Sequence, residues 1–192
     1  MDKEYAVVQG PLSTTRVDFW RMVWEHNAQA IVMLTKCEEN GQAKCDHYWP
    51  ANTEPMYYGY LKVQVISQTT SDDWIVSRLM LSKGRQGRTI THFHYTAWHE
   101  MEVPRNTQSI IAFVRLVRNS LESRGGPLVV HCSTGCGRSG TFVALDRLLQ
   151  HIGKHDWCDV FGTVCDMRTH RCHMIWNQVS IAFQKQKIHM HT

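Results

Sequence analysis

One short segment of the chain combines residue types that suit phosphate chemistry. It reads His131-Cys132-Ser133-Thr134-Gly135-Cys136-Gly137-Arg138-Ser139-Gly140-Thr141. The apolar residues 128–131 before it predict a short buried strand, and the pattern after it predicts a helix that starts near Arg138. A loop between a strand and a helix N-terminus directs backbone N–H groups at one spot, so this loop can bind an anion.

Within this loop, Cys132 and Arg138 are the residues that could act on a phosphate ester. The amides and the guanidinium would stabilise the thiolate of Cys132, which is the nucleophilic form of a cysteine. Arg138 can hold two phosphate oxygens at once, which a lysine cannot do. Gly135 and Gly137 allow the backbone to approach a ligand closely. Ser139 could donate a hydrogen bond to the cysteine sulfur.

The Cys-x5-Arg spacing alone is a weak signal, because Cys165 and Arg171 share it. That second stretch has no glycine, contains Asp166 and follows a helical pattern, so we interpret it as a chance match. The competing interpretation of the Cys132 loop is a structural Gly-rich turn with a buried cysteine. Its two glycines, the preceding His131 and the Ser-Gly-Thr that follows favour a functional loop.

Patterns elsewhere predict the elements that must position this loop. Apolar or alternating runs predict strands over 30–34, 59–67, 74–81 and 89–96, besides 128–131. Helical periodicity predicts a first helix over 13–26, with Ser13 or Thr14 as its cap. A second helix should run from 106 or 107 and end at the Gly-Gly-Pro stretch 125–127. Further helices are predicted over 141–150, around 160–167 and over 178–187. Strands that alternate with helices favour one α/β domain with a central sheet covered by helices.

Composition narrows the function classes. The chain has 192 residues, of which 43% are hydrophobic and 20% charged, as in an ordinary globular domain. The net charge is +4, and the basic residues are too scattered to favour nucleic acid. No apolar run is long enough to cross a bilayer, so we expect no membrane contact. The seven cysteines are an odd number, which favours a reducing, cytoplasmic compartment over a disulfide framework.

The loop resembles the signature of tyrosine-specific protein phosphatases, His-Cys-x-x-Gly-x-Gly-Arg-Ser/Thr-Gly. The similarity extends over nearly the whole chain, through residues 9–12, 18–25, 44–50 and 94–98. Residues 142–171 are most similar to catalytic domains of receptor-type members, which implies the intracellular part of such a receptor. The resemblance implies one phosphatase domain over 1–192, partial because the family's N-terminal phosphotyrosine-recognition loop is missing. It also implies a central twisted mixed sheet flanked by helices.

The resemblance assigns roles by position. Cys132 would form a phosphocysteine intermediate, and Arg138 would bind phosphate together with the loop residues Ser133, Thr134, Gly135, Cys136 and Gly137. Glu39 would hold Arg138 in place, Lys44 would lie near the mobile acid loop, and Trp98 would be the hinge of that loop. His131 and Ser139 would support the cysteine. No metal and no other cofactor is implied, and the partners would be phosphotyrosine-containing proteins.

Two departures from the family pattern bear on catalysis. The acid loop of the family, Trp-Pro-Asp-x-Gly-Val-Pro, is Trp-His-Glu-Met-Glu-Val-Pro here. Glu100 would therefore protonate the leaving oxygen, but it is one methylene longer than aspartate, and a misplacement of about 1 Å can cost on the order of 10²-fold in rate. Trp176 and Ser180 stand where the family has the glutamines that position the hydrolytic water. Both changes predict reduced turnover.

Three functions remain open at this stage. The first is a tyrosine phosphatase with reduced turnover, which the intact Cys132, Arg138 and Ser139 favour. The second is a pseudophosphatase that binds phosphotyrosine without turning it over. The third is a thiol enzyme acting on another phosphate ester, such as a lipid headgroup, which the sequence disfavours because the loop residues 133, 134 and 136 are neutral.

Overall fold

The computed structural model describes residues 4–99, 104, 106–121, 125–155 and 157–176. The strands in these residues are β1 (Tyr5–Val8), β2 (Ala30–Met33), β3 (Glu38–Glu39), β4 (Gln42–Ala43), β5 (Met56–Tyr58), β6 (Leu61–Thr70), β7 (Trp74–Lys83), β8 (Gln86–Tyr95) and β9 (Leu128–His131). The helices are α1 (Arg16–Glu25), α2 (Thr107–Asn119), α3 (Gly137–Ile152) and α4 (Val160–His170).

The sheet is mixed, with seven strands in the order β1-β9-β2-β8-β7-β6-β5. The four strands from β1 to β8 in this order are parallel, and β8, β7, β6 and β5 continue as an antiparallel meander. A separate two-stranded hairpin joins β3 to β4. The predicted α/β architecture, a mixed sheet flanked by helices, is therefore confirmed. Because β9 lies between β1 and β2, the residue that follows it emerges from the middle of the parallel part.

The sheet buries both of its faces. Val32 and Val130 belong to one apolar cluster, together with residues of α2, α3 and α4. Their neighbours Ile31 and Val129 belong to a second cluster on the side of α1. Side chains alternate between faces along a strand, so a strand with both faces covered is apolar throughout, as β2 and β9 are. Helix packing on both faces thus fixes the strand that leads into Cys132.

The predicted starts and ends of helices hold only in part. Helix α2 starts at the predicted position, and Asn106 caps it, since its side chain accepts a hydrogen bond from the amide of Ser109 at 3.2 Å. Neither Ser13 nor Thr14 caps α1, because Thr15 precedes that helix and its hydroxyl accepts from the amide of Leu12 at 2.9 Å instead.

Helix α2 ends at Asn119, before the Gly-Gly-Pro stretch that was predicted to end it. The glycine of that stretch serves a different purpose, since a Cβ on Gly126 would lie 2.2 Å from the carbonyl oxygen of Asn27. The short strands β1, β3, β4 and β5 were not predicted, and the helix predicted over 178–187 lies outside the described residues. Among the described residues, no helix has the length and apolarity needed to cross a membrane.

Candidate active site

The loop that contains Cys132 lies between β9 and α3, as the sequence predicted. Cys132 directly follows β9 and is only 3% exposed, and α3 begins at Gly137. The sulfur therefore sits at the carboxyl end of a central strand and before the N-terminus of a 16-residue helix. The partial positive charge of such a helix end favours an anion in front of it.

Hydrogen bonds from other segments and from the first turn of α3 occupy the carbonyl groups of residues 133–136. The amide of Gly10 donates to the carbonyl oxygen of Ser133 at 2.9 Å. The guanidinium of Arg171 donates to the carbonyl oxygens of Thr134 and Gly135, both at 3.1 Å. The carbonyl oxygen of Cys136 accepts from the amides of Gly140 and Ile175 at 2.9 and 3.2 Å. The C=O and N–H of a trans peptide unit point in opposite directions. Carbonyls bound on the outside therefore turn the amides toward the concave side, which is the arrangement of an anion nest.

The tight turn of this loop depends on Gly135. Its φ angle is +71°, in the left-handed region that side chains other than glycine rarely adopt. A Cβ on Gly135 would also lie 2.2 Å from the carbonyl oxygen of Val8, at the end of β1. The loop can therefore curl only because this residue lacks a side chain and can pass directly over the neighbouring strand.

Arg138 is fixed by three separate parts of the fold. Its two terminal nitrogens each donate to one carboxylate oxygen of Glu39, both at 2.7 Å. Nη1 also lies 2.9 Å from the carbonyl oxygen of Leu34 and 3.3 Å from that of Trp98. A guanidinium bound through both terminal nitrogens to one carboxylate is held in one plane, so Arg138 is oriented before any ligand arrives.

Glu39 itself is held by a hairpin. Asn40 and Gly41 form its two-residue turn with φ angles of +54° and +71°, the Asn-Gly pattern that favours tight hairpins. The carboxylate also accepts hydrogen bonds from the hydroxyl of Thr35 at 3.2 Å and the amide of Lys36 at 3.1 Å. Burial on its own would raise the pKa of Glu39, but these hydrogen bonds and the charge of Arg138 outweigh it and lower that pKa.

Behind the cysteine lies a buried chain of aromatic and imidazole side chains. His131 Nδ1 lies 3.1 Å from the carbonyl oxygen of Cys132, and its Nε2 lies 2.7 Å from the hydroxyl of Tyr48. The same hydroxyl lies 2.7 Å from Nε2 of His92. Burial lowers the pKa of His131 to about 4 and that of His92 well below its usual value. Both imidazoles are therefore neutral at pH 7, and they brace the backbone at Cys132.

Comparisons with known proteins agree with this geometry. A family model described as protein-tyrosine phosphatase matches residues 1–188. The chain belongs to the protein-tyrosine phosphatase family. It is 40% identical to the phosphatidylinositol phosphatase PTPRQ of Homo sapiens over 96% of this chain and 8% of that protein.

Two further relatives of this phosphatase chain carry receptor-type names. Receptor-type tyrosine-protein phosphatase H of Homo sapiens is 38% identical over 97% of the chain and 17% of its own length. Receptor-type tyrosine-protein phosphatase V of Rattus norvegicus is 41% identical over 90% of the chain and 10% of its own length. The chain thus spans less than a fifth of each relative.

The other predicted site residues of this phosphatase chain are placed less completely. Trp98 is buried beside Arg138, and Lys44 donates from Nζ to the side chain of Gln42 at 2.9 Å on the hairpin of Glu39. Glu100 lies outside the described residues, so its distance from the nucleophile loop stays a prediction. Ser139 is fully buried, but within the described part of the chain its hydroxyl has no hydrogen-bond partner, so the predicted bond to the sulfur is not formed.

Sequence reasoning missed two residues that support the loop. Arg171 was interpreted only as part of a chance Cys-x5-Arg match, yet its guanidinium donates to two carbonyls of the phosphatase loop. Tyr48 was noted only within the segment 44–50, yet its hydroxyl joins His131 to His92. Neither role has a local sequence signal, because each depends on a contact between distant segments. Among the described residues, no three His, Cys, Asp or Glu side chains are grouped so as to hold a metal ion.

Proposed function

We propose that this domain hydrolyses phosphotyrosine in proteins through a phosphocysteine intermediate on Cys132. The observation that carries the proposal is the paired arrangement of Arg138 and Glu39 next to the loop of Cys132. A guanidinium fixed in advance can stabilise the charge of a transferring phosphoryl group without reorganising. A purely structural turn would not need a buried charge pair of this kind beside a buried thiol.

The reaction proceeds in two displacements. The thiolate of Cys132 attacks phosphorus, the bond to the tyrosine oxygen breaks, and Glu100 donates its proton to that oxygen, so tyrosine leaves. Water then attacks phosphorus, with Glu100 as the base that takes its proton. The phosphorus–sulfur bond breaks, which returns the thiolate and releases inorganic phosphate. Arg138 and the amides of residues 133–137 bind the nonbridging oxygens throughout.

Turnover is expected to be lower than in relatives with the usual acid loop. General acid catalysis typically contributes about 10²–10⁴-fold, and Glu100 places its carboxyl group one methylene further from the backbone than an aspartate would. Trp176 cannot accept a hydrogen bond from water through its indole, which has only an N–H donor. The hydrolytic water therefore lacks a side-chain acceptor at this position, and the second step slows.

Phosphoinositides are a second candidate substrate class. One observation favours them, namely that a relative 40% identical to this chain is named a phosphatidylinositol phosphatase. The neutral side chains of Ser133, Thr134 and Cys136 argue against a headgroup with several phosphates, since such a ligand would gain from basic side chains around the loop. Phosphotyrosine therefore stays first. A binding module without turnover is the third candidate, and the substitutions at Glu100 and Trp176 favour it.

The test compares the two substrate classes on the same protein. Release of phosphate is measured from a phosphotyrosine peptide and from a phosphatidylinositol phosphate in vesicles. Cys132→Ser should abolish the release of phosphate, whereas Cys165→Ser should leave it unchanged. Cys165 is the matched control because it is exposed and has the same Cys-x5-Arg spacing. Faster turnover of the lipid would select the second candidate. The third candidate, a binding module, would be selected if the wild type binds the peptide but releases no phosphate, and if Arg138→Met removes that binding.

A further inference from the structure

The backbone that leads to Trp176 is fastened to the nucleophile loop. Met174 and Ile175 are buried, at 3% and 0% exposure. The amide of Ile175 donates to the carbonyl oxygen of Cys136 at 3.2 Å. Arg168 donates to the carbonyl oxygens of Met174 and Ile175 at 3.0 and 2.9 Å. Because these contacts fix the two preceding residues, the point where Trp176 begins is fixed relative to the loop.

The side chain of Trp176 starts beside the phosphate-binding loop and extends into solvent. A Cβ on Gly137 would lie 3.7 Å from the Cβ of Trp176. Nevertheless, Trp176 is 60% exposed. A large aromatic surface therefore lies at the rim of a loop whose interior suits a small anion. The loop can bind the phosphate group, and the indole beside it can contact an apolar group attached to that phosphate.

We propose that Trp176 packs against the aromatic ring of the substrate and so favours aryl phosphates over alkyl phosphates. The loop encloses only the tetrahedral phosphate, so the rest of the ester must leave across the rim. An indole at the rim offers an aryl ring an offset-stacked or edge-to-face contact. This inference rests on the proposed function, because it assigns the substrate class to that same site.

The contact distinguishes the chemical classes that the loop alone cannot. Inorganic phosphate has no group outside the loop, and an inositol ring carries hydroxyl groups and has no π face. Of the three, only an aryl ester gains the contact between two aromatic rings. An aromatic pair adds roughly 0.5–1.5 kcal/mol, which corresponds to a factor of about 2–10 in affinity.

Binding without turnover tests this directly. In a Cys132→Ser background, dissociation constants are measured for a phosphotyrosine peptide, for inositol 1-phosphate and for inorganic phosphate. Trp176→Ala should raise the dissociation constant of the peptide about 2- to 10-fold and leave those of the other two ligands unchanged. Trp176→Phe should retain most of the affinity for the peptide. The matched control is Trp157→Ala, since Trp157 is 62% exposed and lies between α3 and α4.

Each result decides between the contact and its alternatives. Equal weakening of all three ligands would overturn the inference, because Trp176 would then only support the loop. Equal weakening of the peptide and of inositol phosphate would overturn its preference for aryl esters, as would unchanged peptide binding. The proposed function fails separately, if the wild-type chain releases no phosphate from the peptide while the predicted binding pattern still holds.

Discussion

Arg138 and Glu39 lie 99 positions apart in the chain and are joined by two parallel hydrogen bonds of 2.7 Å. Their side chains are only 11% and 7% exposed, so water screens this ion pair weakly. The pair connects the helix that follows the nucleophile loop to a small hairpin outside the main sheet. The geometry of the proposed phosphate site therefore depends on a segment that contributes no atom to the loop itself.

Removing the charge of Glu39 should impair the site without unfolding the domain. In Glu39→Gln, one of the two bonds to Arg138 is lost and the guanidinium keeps an uncompensated charge. We expect kcat/KM for p-nitrophenyl phosphate to fall on the order of 10- to 100-fold, since breaking a buried pair costs several kcal/mol and part of this cost falls on binding. Glu38→Gln, at the exposed neighbouring position, should retain wild-type kinetics. Equal effects at both positions would contradict a specific role of Glu39.

Replacing Gly135 by alanine should destabilise the chain more than its φ angle explains. Gly84 has a similar φ of +58°, and a Cβ added there would meet no atom within 4 Å, so Gly84→Ala measures backbone strain alone, about 1–2 kcal/mol. Gly135→Ala adds the clash with the carbonyl of Val8, and we expect it to lower the free energy of unfolding by at least about 3 kcal/mol. Urea unfolding of both variants checks this, and similar losses would show that the loop can move away from β1.

Arg171 should act as a positioning residue for the loop. Arg171→Gln removes the charge and the two-pronged contact with the carbonyls of Thr134 and Gly135, so the amides lose part of their orientation. We expect the inhibition constant of inorganic phosphate to rise about 10-fold, because one charge-assisted hydrogen bond contributes about 1.5–3 kcal/mol and the loop can partly adjust. Arg147, which pairs with Asp166 on the exposed surface at 2.7 Å, provides the control. If Arg147→Gln weakens the binding of phosphate by as much as Arg171→Gln does, the effect comes from the overall charge of the chain and not from the position of Arg171.

Stability should decrease as the pH falls from about 6.5 towards 4. The unfolded chain binds protons at its histidines near pH 6.5, but burial lowers the folded pKa of His131 to about 4 and also lowers those of His92 and His94. A group whose pKa is lower in the folded than in the unfolded chain contributes its full stabilisation of the fold above the unfolded pKa. That contribution is lost as the pH falls from the unfolded pKa to the folded pKa. For His131 this is about 3 kcal/mol, since each pKa unit corresponds to about 1.4 kcal/mol.

The measurement is urea unfolding at fixed ionic strength from pH 7.5 to 4.5. Glu39, whose pKa is lowered from its usual 4.5, adds to the slope only below about pH 5.5, where the same carboxyl group of the unfolded chain starts to bind protons. His131→Gln should reduce the slope, whereas His170→Gln, at an 80% exposed side chain, should not. Stability that stays constant from pH 7 to 5 would show that these imidazoles are hydrated in solution.

The central strands of the sheet were predictable, β2 and β9 because both of their faces are buried, and β7 and β8 because buried residues recur along them. The run Leu128–His131 was predicted to its full length, and β2, β7 and β8 were predicted to within a few residues. Such strands carry their signal locally, in uninterrupted apolar or alternating residues. The strand β1 and the hairpin of β3 and β4 are only two to four residues long. Their pairing depends on distant partners, so their own residues reveal little.

The candidate active site shows the same division. Cys132, Arg138 and the glycines lie in one contiguous segment between a predicted strand and a predicted helix, so the local sequence indicated an anion-binding loop. The pairing of Arg138 with Glu39 came only from the family resemblance. The role of Arg171 was missed because its contacts with Thr134 and Gly135 form only when the chain that follows α4 passes beside the loop. Long-range contacts of this kind leave no periodicity to detect.

The measurement closest to the central claim is a rapid-quench experiment with a ³²P-labelled phosphotyrosine peptide. The account predicts that acid quenching within the first turnover traps one labelled phosphoryl group per chain, that Cys132→Ser abolishes the label, and that Cys165→Ser retains it. The label should accumulate in the steady state, because hydrolysis is the slower step beside Trp176. Turnover by the wild type without any label on Cys132, or label that persists in Cys132→Ser, would contradict it.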